Sequence, residues 1–140
     1  MIGIRRAVLE DAENLYDFFE ARGTSLSLTG LISLLRDDGL HFYTLWEGRE
    51  LLGGFCFELT EGVARLNFLL LSGPGEALSA ALSLTEARYP GLKSWTAGPA
   101  LDEQALKGAG FTRRKGSLVR PAVRRRLPYA GRPAGAPACP

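Results

Sequence analysis

The chain has 140 residues, 46% of them hydrophobic and 23% charged, a composition typical of one soluble globular domain rather than of a disordered or fibrous chain. Its apolar stretches, such as residues 68–71, are much shorter than the roughly 20 residues of a membrane span, and no signal-peptide pattern opens the chain, so we expect a cytoplasmic location. Two cysteines and one histidine provide neither a disulfide framework nor a metal-ligand spacing, and we expect no metal site.

The net charge of +2 conceals a strong asymmetry along the chain. Residues 1–103 carry 8 Lys and Arg against 15 Asp and Glu, a sum of −7, whereas residues 104–140 carry 9 basic residues and no acid, a sum of +9. Such a basic end could bind nucleic acid or an acidic partner. Its bases could instead line the solvated face of terminal strands and neutralise an acidic body; they include Arg113, Arg114, Lys115, Arg120 and Arg124 to Arg126. We favour the second interpretation, since few aromatic residues accompany these charges for base stacking.

In chain order, the first half of the sequence predicts a strand over residues 1–8 and then two amphipathic helices. The first begins at Glu10 and Asp11, and the second covers residues 28–35, with Ser27 or Thr29 as its cap. Residues 40–46 and 51–59 predict a hairpin, and Val63 to Leu71 a further strand. These strands are apolar on both faces, so we expect helices on both sides of the sheet.

The second half predicts a helix over Glu76 to Arg88, a parallel strand over Leu92 to Ala97, a short helix over Leu101 to Ala109 and a final strand from Gly110 to about Val119. Residues 1–126 then form one domain, and residues 127–140, rich in Pro, Gly and Ala, form a loose tail.

The connection Ser72-Gly73-Pro74-Gly75 separates the strand that ends at Leu71 from the next helix. The first turn of a helix has N–H groups without intrahelical partners, so this connection could hold a phosphate. Gly73 as a cap and Pro74 as the first helical residue also have a purely structural explanation. Glu76 in the first turn would repel a pyrophosphate.

This order of elements resembles the GCN5-related N-acetyltransferase (GNAT) superfamily over residues 1 to about 120. The resemblance is carried by Ile4-Arg5-Arg6-Ala7 with Glu10-Asp11-Ala12, by Leu51-Leu52-Gly53-Gly54-Phe55, and by Leu106-Lys107-Gly108-Ala109-Gly110-Phe111. It implies an α/β fold of the α+β mixed-sheet type, the acyl-CoA N-acyltransferase fold, with helices on both faces of the sheet. It also implies that the sheet splits between its fourth and fifth strands and leaves a cleft in front of Gly73.

The family's activity is acetyl transfer from acetyl-CoA to a primary amine, on a small molecule or a peptide. By resemblance, the pantetheine arm lies along the fourth strand and the pyrophosphate at the loop before the next helix. The cofactor-binding candidates are therefore Leu69, Leu71, Gly73, Gly75, Glu76 and Ala77. The chain departs from the family in its short connection, which lacks a basic residue, and in Leu106, which stands where many members have a catalytic tyrosine.

A general base must take a proton from the amine, and Glu58 and Asn67 are the polar residues best placed in the central sheet. His41 and Tyr43 are outside candidates, and each of the four also has a structural explanation. Two hypotheses stay open: an N-acetyltransferase of unidentified substrate, or a non-catalytic module of the same fold that binds through its basic C-terminal segment. A homodimer is plausible because that segment could pair with the acidic body of a second copy.

Overall fold

The computed structural model describes residues 2–24, 26–72, 76–99 and 101–122, which form one mixed sheet of seven strands in the order β1-β2-β3-β4-β5-β7-β6. In chain order the elements are β1 (Ile2–Arg6), α1 (Ala12–Ala21), α2 (Leu28–Arg36), β2 (His41–Glu47), β3 (Glu50–Thr60), β4 (Val63–Leu71), α3 (Ala77–Arg88), β5 (Ser94–Ala97), α4 (Glu103–Gly108), β6 (Thr112–Arg114) and β7 (Ser117–Pro121). A 3-10 turn, Leu9–Asp11, precedes α1, and the Ser27 side chain caps α2 by accepting from the Gly30 N–H.

Both faces of the sheet carry a hydrophobic core. The larger core joins the sheet to α3 and α4, with Phe57, Leu66 and Trp95 fully buried. The smaller one joins the other face to α1 and α2 around Phe19 and Phe42. The prediction of a mixed sheet with helices on both faces is confirmed, and it follows from strands that are apolar on both sides.

The direction of the strands changes at one connection. β4 and β5 are parallel and are joined through α3, whereas the other five pairs in the described residues are antiparallel. A parallel pair needs a crossover of this kind. The first turn of α3 therefore follows the end of β4, and its last turn precedes the start of β5.

The sequence predicts a single final strand over residues 110–119. This prediction is wrong, because the segment forms the β6–β7 hairpin. The chain reverses at Lys115 and Gly116, whose φ angles are 50° and 82°. Two consecutive residues in the left-handed region are characteristic of a tight hairpin turn, and glycine favours that conformation.

The prediction that Arg120 lies on a solvated face is also wrong, since this residue is only 6% exposed. Its Nη2 lies 3.6 Å from Glu86 Oε2, and the same carboxylate accepts a 2.9 Å hydrogen bond from the Trp95 indole. A buried guanidinium needs such a partner, because an isolated charge is costly away from water. Residues 124–126 and the predicted tail, 127–140, lie outside the described residues.

None of the helices in the described ranges is both long enough and apolar enough to span a bilayer.

Candidate functional site

The two halves of β4 have different neighbours. Residues 63–66, the doubly paired half, are bonded to β3 on one side and to β5 on the other. The pairing with β5 ends where the Gly98 N–H donates to the Leu66 carbonyl at 2.8 Å. Residues 67–71, the singly paired half, continue along β3 alone. β4 therefore extends past the last β5 residue with which it pairs, as the predicted split requires, and we call the space beside residues 67–71 the cleft. The predicted cleft in front of Gly73 stays a prediction, since residue 73 lies outside the described residues.

A β-bulge at Asn67 marks the point where the strands separate. Phe57 pairs with Leu66, but the preceding residue, Cys56, pairs with Phe68, so Asn67 is an extra residue in β4. A bulge bends its strand and increases the local twist, and this one directly follows Leu66, the last β4 residue that pairs with β5. On the other side of the split, a Cβ at Gly98 would lie only 3.0 Å from the Leu66 carbonyl oxygen. The last contact between the two strands thus depends on a residue without a side chain.

Along residues 67–71, the edge of β4 that faces away from β3 has no strand partner within the described residues. The Ser72 N–H points to β3, where it donates to the Leu52 carbonyl at 2.7 Å. Because backbone groups of successive strand residues point to opposite edges, those of Leu69 and Leu71 point into the cleft. Both side chains are half-buried against the α3 side of the sheet.

The N-terminus of α3 supplies further donors beyond the end of β4. The first helical bond runs from the Ala80 N–H to the Glu76 carbonyl at 2.9 Å, so the N–H groups of Ala77, Leu78 and Ser79 have no intrahelical acceptor. Ala77 is buried, whereas the Glu76 side chain is exposed and makes no capping bond. The other two cofactor candidates, Gly73 and Gly75, lie outside the described residues.

Glu58 and Asn67 are brought together at the split. The Asn67 side-chain amide donates to Glu58 Oε2 at 3.2 Å, and both groups reach solvent. They lie on the sheet face opposite α3, because Phe57, which neighbours Glu58 in β3, points into the α3 core. The structure thus places a carboxylate beside the position where β4 and β5 separate.

His41 and Tyr43 lie on the other face of the sheet, under the C-terminal end of α3. The Tyr43 hydroxyl is 2.6 Å from that of Tyr89, which is 3.2 Å from His41 Nδ1. Burial, and then the Arg6 charge, lower the pKa of His41. Burial and the Tyr43 hydrogen bond raise the pKa of Tyr89 to about 12. These groups hold β2 to the end of α3 that is remote from the cleft, so they stand apart from Glu58 and Asn67.

Two further residues are excluded from chemistry by burial. Leu106, which the family resemblance aligns with a tyrosine that many members use, is fully buried and apolar. Burial raises the pKa of the Cys56 thiol to about 12, so this thiol stays protonated and is not a nucleophile near neutral pH. No group of three or more metal-ligating side chains occurs in the ranges that the structure describes.

Sequence reasoning missed Gly98 and Tyr89. The Gly98-Pro99 pair signals only that β5 ends, and nothing in the sequence indicates that Gly98 faces Leu66. Tyr89 follows the last residue of α3 next to Pro90, a position that suggests a helix end rather than a contact with β2.

Searches against protein-family models and against curated proteins gave no match. Solved structures do match. An aminoglycoside acetyltransferase, AAC(6')-Ib, solved with coenzyme A and kanamycin, has a TM-score of 0.67 and 16% identity over 86% of this chain and 95% of that one. The putative N-acetyltransferase YhhK of E. coli, bound to coenzyme A, has a TM-score of 0.66 and 19% identity over 87% and 99%. An acetyltransferase from Thermus thermophilus has a TM-score of 0.63 and 22% identity over 86% and 97%.

This chain therefore has the GNAT fold, the acyl-CoA N-acyltransferase fold that its sequence predicts.

Proposed function

We propose that this protein is an N-acetyltransferase that transfers the acetyl group of acetyl-CoA to a primary amine. The observation that carries the proposal is the loss of the β5 partner after Leu66, beside the Glu58–Asn67 pair and in line with the first turn of α3. Coenzyme A or acetyl-CoA is bound in several structures of similar fold, AAC(6')-Ib and YhhK among them, which supports the same cofactor here.

The described residues fit a thioester cofactor with an amide-containing arm. The backbone groups of Leu69 and Leu71 would pair with the pantetheine amides as a neighbouring strand does. The N–H groups of the α3 first turn, which have no intrahelical acceptor, would face the pyrophosphate. A helix N-terminus is worth about 0.3 to 1 kcal/mol to an anion, whereas micromolar binding needs about 8 kcal/mol. Most of the affinity must therefore come from the β4 cleft.

The reaction needs a neutral amine. Bound acetyl-CoA supplies an electrophilic carbonyl carbon and a thiolate leaving group. Glu58 would accept the proton that the ammonium group must lose, directly or through one water, before the amine nitrogen attacks. Asn67 would hold the carboxylate in place through its 3.2 Å hydrogen bond. As the C–N bond forms and the C–S bond breaks, the nitrogen loses its second proton to solvent, so one proton ends on Glu58 and the other in solvent.

The buried Leu106 leaves this position without a proton donor for the departing sulfur. The chemistry does not require one, because a simple thiol has a pKa of about 8.5 and a thiolate is a good leaving group near neutral pH. We infer that CoA leaves as the thiolate and takes its proton from water.

The second candidate function is a non-catalytic module of the same fold, which binds an acidic partner or nucleic acid through the basic C-terminal segment. Leu106 and the carboxylate of Glu76 beside the free α3 donors favour it. It predicts no cofactor binding. If nucleic acid is the partner, its binding weakens steeply with salt and is lost when residues 123–140 are removed, a truncation that spares β7 and the buried Arg120.

Titration calorimetry with acetyl-CoA separates the two functions. The enzyme predicts binding tighter than about 100 micromolar, that is about 5 kcal/mol or more. It also predicts transfer of acetyl to at least one amine of a diverse panel, followed by mass spectrometry. Absence of heat at millimolar acetyl-CoA overturns the enzyme, whereas binding without transfer supports a module that has kept its cofactor cleft.

A further inference from the structure

On the sheet face opposite α3, α1 and α2 pack over β1–β3 around Phe19 and Phe42 and reach Phe68 and Leu70 in the second half of β4. Within the described residues, no helix packs on the rest of this face. Further along, one row of residues in register crosses five strands on this face: Glu58 in β3, Arg65 in β4, Thr96 in β5, Val119 in β7 and Thr112 in β6. Directly paired residues point to the same side of a sheet, so these five share the face. We call this surface the exposed sheet face.

The exposed sheet face is polar and accessible within the described residues. Glu58, Arg65 and Thr112 are exposed, and Thr96 and Val119 are half-buried. The next paired row towards the cleft end adds Ser117 and Arg114, both exposed. The opposite face of the same strands carries the buried side chains of Trp95, Leu118 and Arg120. Hydroxyls and charges thus replace the apolar packing found on the α3 side.

The charges on this face are arranged by sign. Glu58, in β3, accepts a hydrogen bond from Asn67 at the bulge of β4. Arg65 is directly opposite Glu58 in the next strand, yet it is in none of the ion pairs found among the described residues. Arg114 lies in β6, at the far edge of the sheet, whereas its neighbour Arg113 points to the other face and pairs with Glu103. Across the exposed sheet face, the carboxylate of Glu58 in β3 is therefore followed by the guanidinium groups of Arg65 in β4 and Arg114 in β6.

From this arrangement we infer that the acceptor is a primary amine that also bears a carboxylate, as an amino acid does. Its ammonium group lies at Glu58, and its carboxylate lies at Arg65, which can form two parallel N–H···O bonds with it. Adjacent strands are about 4.8 Å apart, a separation that suits an amine and an acid group carried by one small molecule. Arg114 adds a weaker, longer-range attraction.

The inference rests on the proposed acetyltransferase activity and goes beyond it in naming the substrate class. A polycationic amine would meet two guanidinium groups on the exposed sheet face and be repelled. Kanamycin, an aminoglycoside, is therefore a suitable negative probe, and an amino acid with its own amide is a matched pair that differs only in the carboxylate.

The test measures kcat/KM for L-amino acids, their amides and kanamycin with the full-length protein and saturating acetyl-CoA. We expect amino acids to be acetylated faster than their amides and kanamycin slowest. Arg65→Gln should lower kcat/KM for the acids about tenfold, typical of one lost charge-assisted bond, and leave the amides unchanged. Arg114→Gln should lower it about twofold, as expected for a solvent-exposed charge. Lys107→Gln, which removes an exposed charge on α4, is the control and should change neither.

An equal loss for acids and amides in Arg65→Gln, or kanamycin turnover faster than that of any amino acid, overturns the inference and leaves the acetyltransferase standing. Acetyl-CoA binding with no transfer to any amino acid also overturns it. Absence of acetyl-CoA binding overturns both proposals. Thermal denaturation of each variant confirms that it is folded, which exposed substitutions at residues 65, 107 and 114 should allow.

Discussion

The doubly paired and singly paired halves of β4 show how one strand can serve both the core and the cleft. In the first half, Ala64 and Leu66 are fully buried between α3 and two neighbouring strands. In the second half, Leu69 to Leu71 are only half-buried and have a strand on one side. The comparison shows that ending β5 halfway along β4 leaves one edge of β4 without a strand partner among the described residues. The cleft therefore needs a bulge and a glycine rather than a long recognition motif.

Different groups hold the two halves in place. Trp95 in β5 fills the core beside the doubly paired half and donates to Glu86 of α3. The singly paired half depends on β3, where Gly53 approaches it so closely that a Cβ there would overlap the Leu70 carbonyl. Stability should accordingly be concentrated in the first half, and substitutions can separate the two.

The largest expected effect follows from Trp95→Ala. Truncation of a fully buried aromatic residue costs about 3 to 5 kcal/mol, and it would leave the buried Glu86 carboxylate without its indole donor. Leu71→Ala, in the half-buried region, should cost only about 1 kcal/mol, since one to two methylene equivalents are lost from the core. Urea denaturation measures both. Equal losses would mean that the two halves do not differ in stability.

The second effect is catalytic and tests the junction of the two halves. Glu58→Gln keeps the hydrogen bond to Asn67 possible but removes the base, so kcat should fall about 100-fold, as for loss of a general base. The affinity for acetyl-CoA should not change. Glu61→Gln, in the β3–β4 turn, is the matched control and should retain full activity. An unchanged kcat in Glu58→Gln would assign the proton transfer to another group.

Gly53→Ala tests what holds the singly paired half. Gly53 has a φ of 143°, and a methyl group there would collide with Leu70 and Leu71. We expect a loss of about 1 to 3 kcal/mol from backbone strain, together with weaker acetyl-CoA binding. Gly3→Ala, where nothing lies within 4 Å, should alter neither property. Wild-type affinity in the Gly53 variant would show that the β3 contact does not shape the cleft.

A smaller effect is expected at the start of α3. Glu76→Gln removes the negative charge beside the first-turn N–H groups of α3 and should tighten acetyl-CoA binding about two- to fivefold, the range of a helix-terminus interaction. Titration calorimetry at low salt measures this affinity best, because salt screens the interaction of a charge with a helix terminus. An unchanged or weaker affinity would place the pyrophosphate elsewhere than at this helix.

The smallest effect concerns the contact remote from the cleft, where burial lowers the pKa of His41. The folded protein keeps this imidazole neutral while the unfolded chain takes up a proton as the pH falls through about 6.5. Stability should therefore decrease slightly below about pH 6.5, and His41→Gln should have a flatter profile between about pH 7 and pH 5. If the free energy of unfolding changes equally with pH in the wild type and in His41→Gln, the lowered pKa of His41 is not the cause.

Most of the fold could be predicted because its strands are long apolar runs separated by clear turns. The segments Val63–Leu71 and Glu50–Thr60 match their predictions closely. The β6–β7 hairpin was missed because Thr112–Arg114 is short and fully exposed, with no apolar alternation to mark it. The burial of Arg120 depends on Glu86, which the chain brings near only through α3 and β5.

The candidate site was predictable in part. Glu58 and Asn67 are recognisable as polar residues in an apolar sheet, but their contact depends on the bulge, which shifts the register of β4. The cofactor residues came from the family resemblance, and their roles remain predictions. The register of strand pairing also decides which face of the sheet Arg65 and Arg114 occupy. A shift of one residue in their strands would move both side chains to the other face, so the sequence alone does not place them.

The burial of Cys56 in β3, beside the candidate site, has a practical consequence. Its thiol stays protonated and out of reach of solvent. The chain's other cysteine, Cys139, lies outside the described residues and can be replaced by serine. A colorimetric thiol reagent added to that variant would then report free CoA as it is produced, with no background from the folded protein, and turnover could be followed continuously.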